Sequence, residues 1–506
     1  MPAVSKNHRV ALYLLLNFGF IVAVCSIAAI GGSPNPRLMH LILLFALCCS
    51  SVIDLDGLNG RYALLAIFLA VYFVSFGVGD LTDILKGQSS VISGSAFSST
   101  EAVILVGGIM LAIGYRTTVT LVSAKPRNAI PRDWSLPSII VVGLAMWAVG
   151  SFTTYWWHVH IVTDTTIEAA NKGIANAGPW VVTSNLLGQL MQPLGILLLA
   201  YAWRTRGGPY LSTLIVVIVC LQVVLGFIAD VKGLAMTGGI LVIMTIVLVD
   251  GRIPKIWLAA AVAFVILVFP IFQAYRTEVH GNLGMARAEV AANLGRALEL
   301  SLAAEDRVNS GRDRAQTFFE RASVRGSLQV IVENAGNGVN FAHGETLTPL
   351  LATFLPKIIW SDKPSVATGQ LMNRDFHVSE YADTYISPSH LGELYWNFGW
   401  SGVVFGMAVI GCFFGFIAAR CNQADAKTVT GLLVTVLTIK QVIVGFEGAI
   451  APQYVVLLRS LAAVGILHWL FARVPVRAGA PQSGYQRPSE TLGRPRISSA
   501  FPNLMH

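Results

Sequence analysis

The sequence predicts an all-α protein that crosses a membrane many times. Of its 506 residues, 54% are apolar and only 12% are charged, and the mean hydropathy is +0.64. A soluble globular chain has roughly 25% charged residues. This composition excludes a soluble enzyme, a disordered protein and a nucleic-acid-binding module. The net charge of +8 must therefore be explained by where the cations lie.

Twelve apolar segments are candidates for membrane spans, each of which needs about 20 mainly apolar residues. They are Val10–Ile30, Leu38–Ile53, Tyr62–Val78, Ala102–Tyr115, Leu136–Thr153, Trp180–Ala202, Tyr210–Ile228, Leu234–Val249, Ile256–Ala274, Gly399–Ala419, Val429–Val444 and Tyr454–Phe471. Nine spans thus fall in residues 1–274 and three in residues 399–472.

The Lys and Arg residues predict the orientation, because cytoplasmic segments are enriched in them. If the N-terminus is cytoplasmic and the spans alternate, 18 of the 35 Lys and Arg residues are cytoplasmic and four lie in the short outer loops. Both termini are then cytoplasmic. The basic tail, residues 473–506, is predicted to be a disordered cytoplasmic end.

The segment Tyr275–Phe398 is predicted to be a helical extracytoplasmic domain between the ninth and tenth spans. Helices are expected over Leu283–Val308 and Arg314–Asn334, followed by irregular chain rich in Gly, Pro and aromatic residues. The aromatic side chains fit stacking on sugar rings and equally fit a domain that lies in the membrane interface.

Motifs for a nucleotide, a dinucleotide or a zinc-peptidase site do not occur in the sequence. His158 and His160 could form a metal pair, but an aromatic and His cluster at a helix end is the favoured interpretation. We therefore predict neither a metal nor a cofactor.

Ionisable residues inside membrane spans are costly and usually functional. Lys440 and Arg459 lie in the eleventh and twelfth spans, nearer their outer ends, while Lys232 and Arg276 lie at the outer ends of other spans. The alternative interpretation is that these side chains reach out to the membrane interface.

A pair of basic residues in the loop, Arg321 and Arg325, is four residues apart and would share one helix face. Such a pair is well suited to bind phosphate or diphosphate. An ordinary solvated helix face is the alternative.

Two stretches of the loop resemble a known family. The first comprises Gly344-Glu345-Thr346 and, further on, Phe354–Pro364; the second is Pro388–Gly402, which reads PSHLGELYWNFGWSG. Together with the many spans and one large loop late in the chain, they resemble the bacterial oligosaccharide repeat-unit polymerases, the Wzy-type O-antigen polymerase family.

The resemblance implies a reaction and its partners. A growing glycan on undecaprenyl diphosphate would be transferred to the non-reducing end of another lipid-linked repeat unit, at the outer face of the bacterial inner membrane. The lipid-linked donor, the lipid-linked acceptor and the bilayer are then the partners, and a chain-length regulator is a further candidate. Nucleic acid is not expected.

The implied reaction assigns roles to residues. The leaving diphosphate needs fixed cations, and the expected diphosphate-binding residues are Arg276, Arg321, Arg325, Lys440, Arg459 and Lys232. The expected glycan-binding residues are Trp360, Lys363, Tyr395 and Asn397.

The attacking sugar hydroxyl needs a general base. Glu393 and His390 are the predicted catalytic residues, since their spacing of three places them on one helix face near the membrane. The alternative is a helix N-terminus, which the segment Ser387-Pro388-Ser389 would cap and where the helix dipole favours Glu393.

Two further functions stay open. An O-antigen ligase would share the spans and the lipid donor but would use lipid A-core as acceptor. A transporter or flippase would be expected to show internal repeats, and none is evident. The glycines Gly402, Gly406, Gly411 and Gly415 in the tenth span fit either a groove for the polyprenyl chain or close helix packing.

Overall fold

The computed structural model describes residues 6–31, 37–55, 60–85, 99–123, 132–161, 179–229, 231–251, 255–256, 259, 275, 287–293, 295–296, 299, 323–352, 360, 368–379, 385–421 and 428–475. Helices make up almost all of this part of the chain, and a single pair of short strands accompanies them in it. The predicted all-α, multi-pass class is therefore confirmed, apart from the unpredicted strand pair.

The elements carry the following labels in chain order. The first half contains α1 (Lys6–Gly31), α2 (Arg37–Cys49), α3 (Ser51–Asp54), α4 (Ala63–Leu85), α5 (Ser99–Ser123), β1 (Arg132–Trp134), α6 (Leu136–Trp156), α7 (Pro179–Arg206), α8 (Pro209–Ala229) and α9 (Lys232–Asp250). The second half contains α10 (Arg287–Ala292), α11 (Arg325–Asn334), α12 (Thr348–Ala352), α13 (Thr368–Phe376), α14 (Ser389–Ser401), α15 (Met407–Cys421), α16 (Val429–Thr438), α17 (Ile450–Phe471) and β2 (Ala472–Pro475).

Ten helical segments in the described residues are long and apolar enough to cross a membrane. They are His8–Ser26, Ala63–Leu81, Ser99–Val122, Leu136–Ile161, Thr183–Thr205, Pro209–Ala229, Gly233–Asp250, Ser389–Cys421, Val429–Glu447 and Ile450–Phe471. The predicted second span corresponds to the shorter apolar segment Leu38–Asp54. The predicted ninth span, Ile256–Ala274, lies almost entirely outside the described residues.

Polar contacts distinguish the two ends of the helix bundle. At one end β1 pairs antiparallel with β2, Arg116 Nε lies 3.0 Å from Asp54 Oδ2, and Arg204 pairs with Asp250. The opposite ends of α4 and α5 instead contact the loop helix α11 through Arg325. The loop therefore packs on the end of the bundle remote from the strand pair.

The strand pair corrects the predicted boundary of the C-terminal tail. Residues 473–475, which were assigned to the disordered tail, belong to β2. The Trp134 ring packs 5.4 Å from the ring of Phe471, and Asp133 Oδ1 accepts a hydrogen bond from Val429 N at 3.1 Å. These contacts hold the end of α17 against the beginning of α16. The rest of the tail lies outside the described residues.

Glycines permit close helix packing in the centre of the bundle. A Cβ atom at Gly411 of α15 would lie 2.1 Å from the carbonyl oxygen of Leu111 in α5, and one at Gly415 would lie 2.6 Å from that of Tyr115. Contacts this short leave no room for a side chain, so α15 and α5 touch along their backbones. These two glycines serve helix packing, the second of the two interpretations drawn from the sequence.

An aromatic cluster fills the bundle below the loop. The ring of Phe446 lies 5.0 Å from that of Phe68 and 5.4 Å from that of Tyr72, and all three side chains are fully buried. Such edge-to-face and tilted pairs add to the free energy of burying the rings. The cluster fixes the short connection between α16 and α17, which borders the candidate site.

The described part of the second predicted loop helix begins at Arg325. A helix was predicted from Arg314, but α11 begins at Arg325, and residues 323 and 324 are not helical. The Val324 N–H donates to Ser75 O at 3.0 Å, so it bonds to α4. The chain enters α11 from a contact with the bundle, and Arg321 lies outside the described residues. The other predicted helix, Leu283–Val308, is described only in part, as α10.

Helix α14 joins the loop to the tenth span. Gly399 interrupts the helix with φ 60° and ψ −142°, a conformation that only glycine adopts readily. The predicted start of the span at Gly399 thus coincides with a kink. Helix continues on both sides of it, from Ser389 to Cys421.

Candidate functional site

The two stretches that carry the family resemblance meet in the structure. Asn397 Nδ2 in α14 donates to Thr346 Oγ1 and to Glu393 O, both at 2.7 Å, while Asn397 Oδ1 accepts from Gly344 N at 2.8 Å. The backbone is paired as well, since His343 N donates to Asn397 O at 3.2 Å. A fully buried Asn side chain thereby fixes the Gly-Glu-Thr turn against α14.

Glu393 lies at the centre of this junction and is fully buried. Its Oε2 accepts a hydrogen bond from the backbone N–H of Ile450, the first residue of α17. Thr346 interacts with the same carboxylate, but Oε1 has no hydrogen bond of normal geometry within the described residues. A buried oxygen without a full set of partners is costly. Glu393 thus caps α17 through Oε2, and its Oε1 has no hydrogen bond of normal geometry within the described residues.

His390 is on the same face of α14, one turn before Glu393, and is also fully buried. Its Nδ1 lies 2.9 Å from Phe446 O and 3.1 Å from Gly448 O, so Nδ1 carries a proton. Nε2 has no partner among the described residues. Its ring stacks on that of Phe446 at 5.0 Å. The predicted shared face of His390 and Glu393 is therefore present, in the part of α14 from Ser389 to Asn397, where every residue is buried.

An open cleft of about 400 Å³ lies beside this junction. It is lined by Gly338, Val339, Asn340, Phe341, Ala342, Glu345, Thr346, Leu371, Arg374, Asp375, His377 and Trp396. Arg374 Nε donates to Asp375 Oδ1 at 2.8 Å, and this hydrogen bond raises the pKa of Arg374 above its usual value. Glu345, Arg374 and His377 are exposed, so charged groups are available to a ligand.

A second polar cluster connects the loop to the bundle. Arg325 Nε lies 3.1 Å from Asp80 Oδ1, and Arg325 Nη2 pairs with Glu101. His40 Nδ1 lies 2.8 Å from Asp80 Oδ2. All four side chains are buried, with exposed fractions of 9% or less. The guanidinium of Arg325 is thus already paired with two carboxylates in this conformation.

The remaining predicted diphosphate-binding residues are spread over the chain. Lys440 is in a π-helical turn after α16 and Arg459 is on α17; both are partly buried, and neither pairs with another described residue. Lys232 begins α9, and its side chain is outside the description. Arg276 and Arg321 lie outside the described residues.

The predicted glycan-binding residues differ in accessibility. Trp360 is 41% exposed, whereas Tyr395 is only 8% exposed and Asn397 is fully buried. In this conformation Asn397 cannot contact a glycan, and its side chain is bonded to the Gly-Glu-Thr turn. Lys363 lies outside the described residues. The ring of His160 packs 4.0 Å from that of Trp156.

Sequence reasoning missed two groups of residues. Asp80 and Glu101 were not recognised as partners of Arg325, although acidic residues at two span ends facing a basic loop were a usable signal. Arg374 and Asp375 were not singled out, because only the folded chain brings their helix, α13, next to the Gly-Glu-Thr turn.

Comparisons with known proteins give no further assignment. No protein-family model, no curated protein and no solved structure matches the chain. The described geometry is that of a multi-pass helical membrane protein, whose loop holds a polar cleft against a helix that continues into a span.

Proposed function

We propose that this protein polymerises undecaprenyl-diphosphate-linked oligosaccharide repeat units into a surface polysaccharide, by glycosyl transfer at the outer face of the bacterial inner membrane. One observation carries the proposal. The Gly344–Thr346 turn and the His390–Asn397 segment, which together suggested this family, are joined by the hydrogen bonds of Asn397. Distant segments with a shared role are expected to converge in this way.

The proposed topology has twelve spans with both termini in the cytoplasm. Seven of the ten spans seen in the described residues lie between β1 and β2. Two paired strands lie on one side of a membrane, so the chain between them must cross it an even number of times. The predicted ninth span gives that even number. The loop then lies on the opposite side from the strand pair.

The proposed chemistry uses Glu393 as the general base and loop and span cations for the leaving diphosphate. Glu393 has one oxygen without a full hydrogen bond, and it adjoins the cleft through Thr346. Because Glu393 is fully buried, an acceptor hydroxyl can reach it only after the Gly-Glu-Thr turn moves. Lys440 and Arg459, which lack partners among the described residues, are the cations best placed by depth to receive a diphosphate at the lipid boundary.

Deleting the gene in its bacterium and separating the surface glycans by size tests the proposal. Loss of the polymerase should leave single repeat units on the cell surface and remove the ladder of longer glycans. Long lipid-linked glycans together with unsubstituted lipid A-core would instead indicate a ligase. Repeat units trapped on the cytoplasmic side would indicate a flippase. Either of these outcomes would refute the polymerase assignment.

A further inference from the structure

The cleft beside the Gly-Glu-Thr turn is lined by side chains of the kinds that bind carbohydrates. Its volume of about 400 Å³ falls within the range of roughly 300–1,000 Å³ that is usual for small-molecule sites. It presents two carboxylates, Glu345 and Asp375, one guanidinium, Arg374, and the partly exposed ring of Phe341. Carboxylates and guanidinium groups pair with sugar hydroxyls in charge-assisted hydrogen bonds, and aromatic rings offer apolar faces to the sugar C–H groups.

Cleft and buried junction share residues. Thr346 lines the cleft and accepts a hydrogen bond from Asn397, which also binds the backbone of Glu393. Trp396 lines the cleft from α14 itself, and its ring packs 5.2 Å from that of Phe376 at the end of α13. A ligand in the cleft would therefore contact the elements that enclose the fully buried Glu393 Oε1, which has no hydrogen bond of normal geometry within the described residues.

The charges of the cleft select among sugars. Arg374 is paired with Asp375 and also attracted by Glu345, so two carboxylates share one fixed cation and the lining keeps an excess of negative charge. An acidic sugar would place its carboxylate near Glu345 and meet like-charge repulsion. A neutral sugar could donate hydroxyl protons to Glu345, and an amino sugar could pair with it.

We propose that this cleft binds one or two neutral or amino sugar residues of the acceptor glycan, next to Glu393. The inference rests on the proposed function, since it names the acceptor subsite of that reaction. Glu345 and Asp375 are the residues that set its specificity. A sugar bound in the cleft would contact the Gly-Glu-Thr turn. Occupancy of the cleft would thereby be linked to exposure of Glu393.

The test measures binding apart from catalysis. The full-length protein, purified in lipid nanodiscs and fluorescently tagged, is applied to an array of mono- to tetrasaccharides made of neutral hexoses, hexosamines or hexuronic acids. The test variant combines Glu345→Gln with Asp375→Asn. The matched control is Glu333→Gln, because Glu333 is an exposed carboxylate on α11 that does not line the cleft.

We expect the wild-type protein and the Glu333→Gln control to retain the same neutral or amino sugars. The double carboxamide variant should bind them about tenfold or more weakly, as expected when hydrogen bonds to charged groups are lost. Unchanged binding by the double variant, a preference for hexuronic acids, or no binding of any sugar by the wild type would overturn the inference.

The outcomes separate this inference from the proposed function. If the wild type binds sugars as described but forms no polymer, the sugar site stands and the polymerase assignment fails. If it forms polymer and the double variant does so with an unchanged KM for the acceptor, the assignment stands and the sugar site fails.

Discussion

Replacing Arg325 by Gln should release the loop from the bundle. The substitution removes the cation that Asp80 and Glu101 share, and those carboxylates are only 0% and 6% exposed. Breaking a buried ion pair by removing one partner costs about 3–5 kcal/mol, because a charge is left buried without compensation. Each 1.4 kcal/mol corresponds to a tenfold change in an equilibrium constant. Local opening of α11 should therefore increase roughly 10²- to 4 × 10³-fold.

Hydrogen exchange of the protein in nanodiscs measures this opening directly. The amides of Leu328 and Ile331, whose side chains are fully buried, should exchange faster by that factor. The control is Arg116→Gln, which breaks the pair with Asp54 at the other end of the bundle. Both partners there are about one third exposed, so its loss should cost no more than about 1 kcal/mol.

A second variant separates charge from packing. Adding Asp80→Asn and Glu101→Gln to Arg325→Gln removes all three formal charges, and replacing a whole buried ion group by neutral side chains is often close to neutral in free energy. Exchange from α11 should then return toward the wild-type rate. If Arg325→Gln alone leaves the exchange of α11 unchanged, the cluster does not hold the loop and the reasoning is refuted.

Three further results are expected. Asn397→Ala should lower polymer formation at least tenfold, because the Gly-Glu-Thr turn loses the side chain that holds it. The exposed control Asn334→Ala should leave polymer formation unchanged. Equal activity of the two variants would contradict the role of the turn. Glu393→Gln keeps an oxygen that can cap α17, so the protein should fold normally. The rate of polymer formation should fall about 10²-fold or more, as for loss of a general base. A wild-type rate of polymer formation would mean that Glu393 only caps α17. Gly411→Ala forces a Cβ against a carbonyl of α5 and should cost about 1–3 kcal/mol of stability in thermal unfolding. The control is Gly465→Ala, whose added Cβ would meet nothing within 4 Å. Equal melting temperatures of the two variants would contradict the packing argument.

Ten of the twelve predicted spans correspond to helices long and apolar enough to cross a membrane. Long apolar segments form helices in a bilayer, because every backbone polar group must be hydrogen-bonded within the segment. The predicted start of the tenth span, Gly399, coincides with a kink, since glycine allows the positive φ found there. These features depend on local composition, which is visible in a single chain.

The site was predictable only in part. The spacing of His390 and Glu393 correctly placed them on one helix face, but nothing local shows that α17 and the aromatic cluster would bury them completely. Arg325 was expected to be available to a diphosphate, whereas two carboxylates from α4 and α5 engage it. Such partners are far apart in the sequence, and only the packing of the helices brings them together.

Reconstitution of the purified protein tests the central claim most directly. The protein in lipid vesicles would be mixed with an undecaprenyl-diphosphate-linked repeat unit, without any nucleotide, in the presence and absence of a chelator. The account predicts a ladder of longer lipid-linked glycans under both conditions. Absence of any product longer than the starting repeat unit, with a native-like substrate and a folded protein, would contradict it.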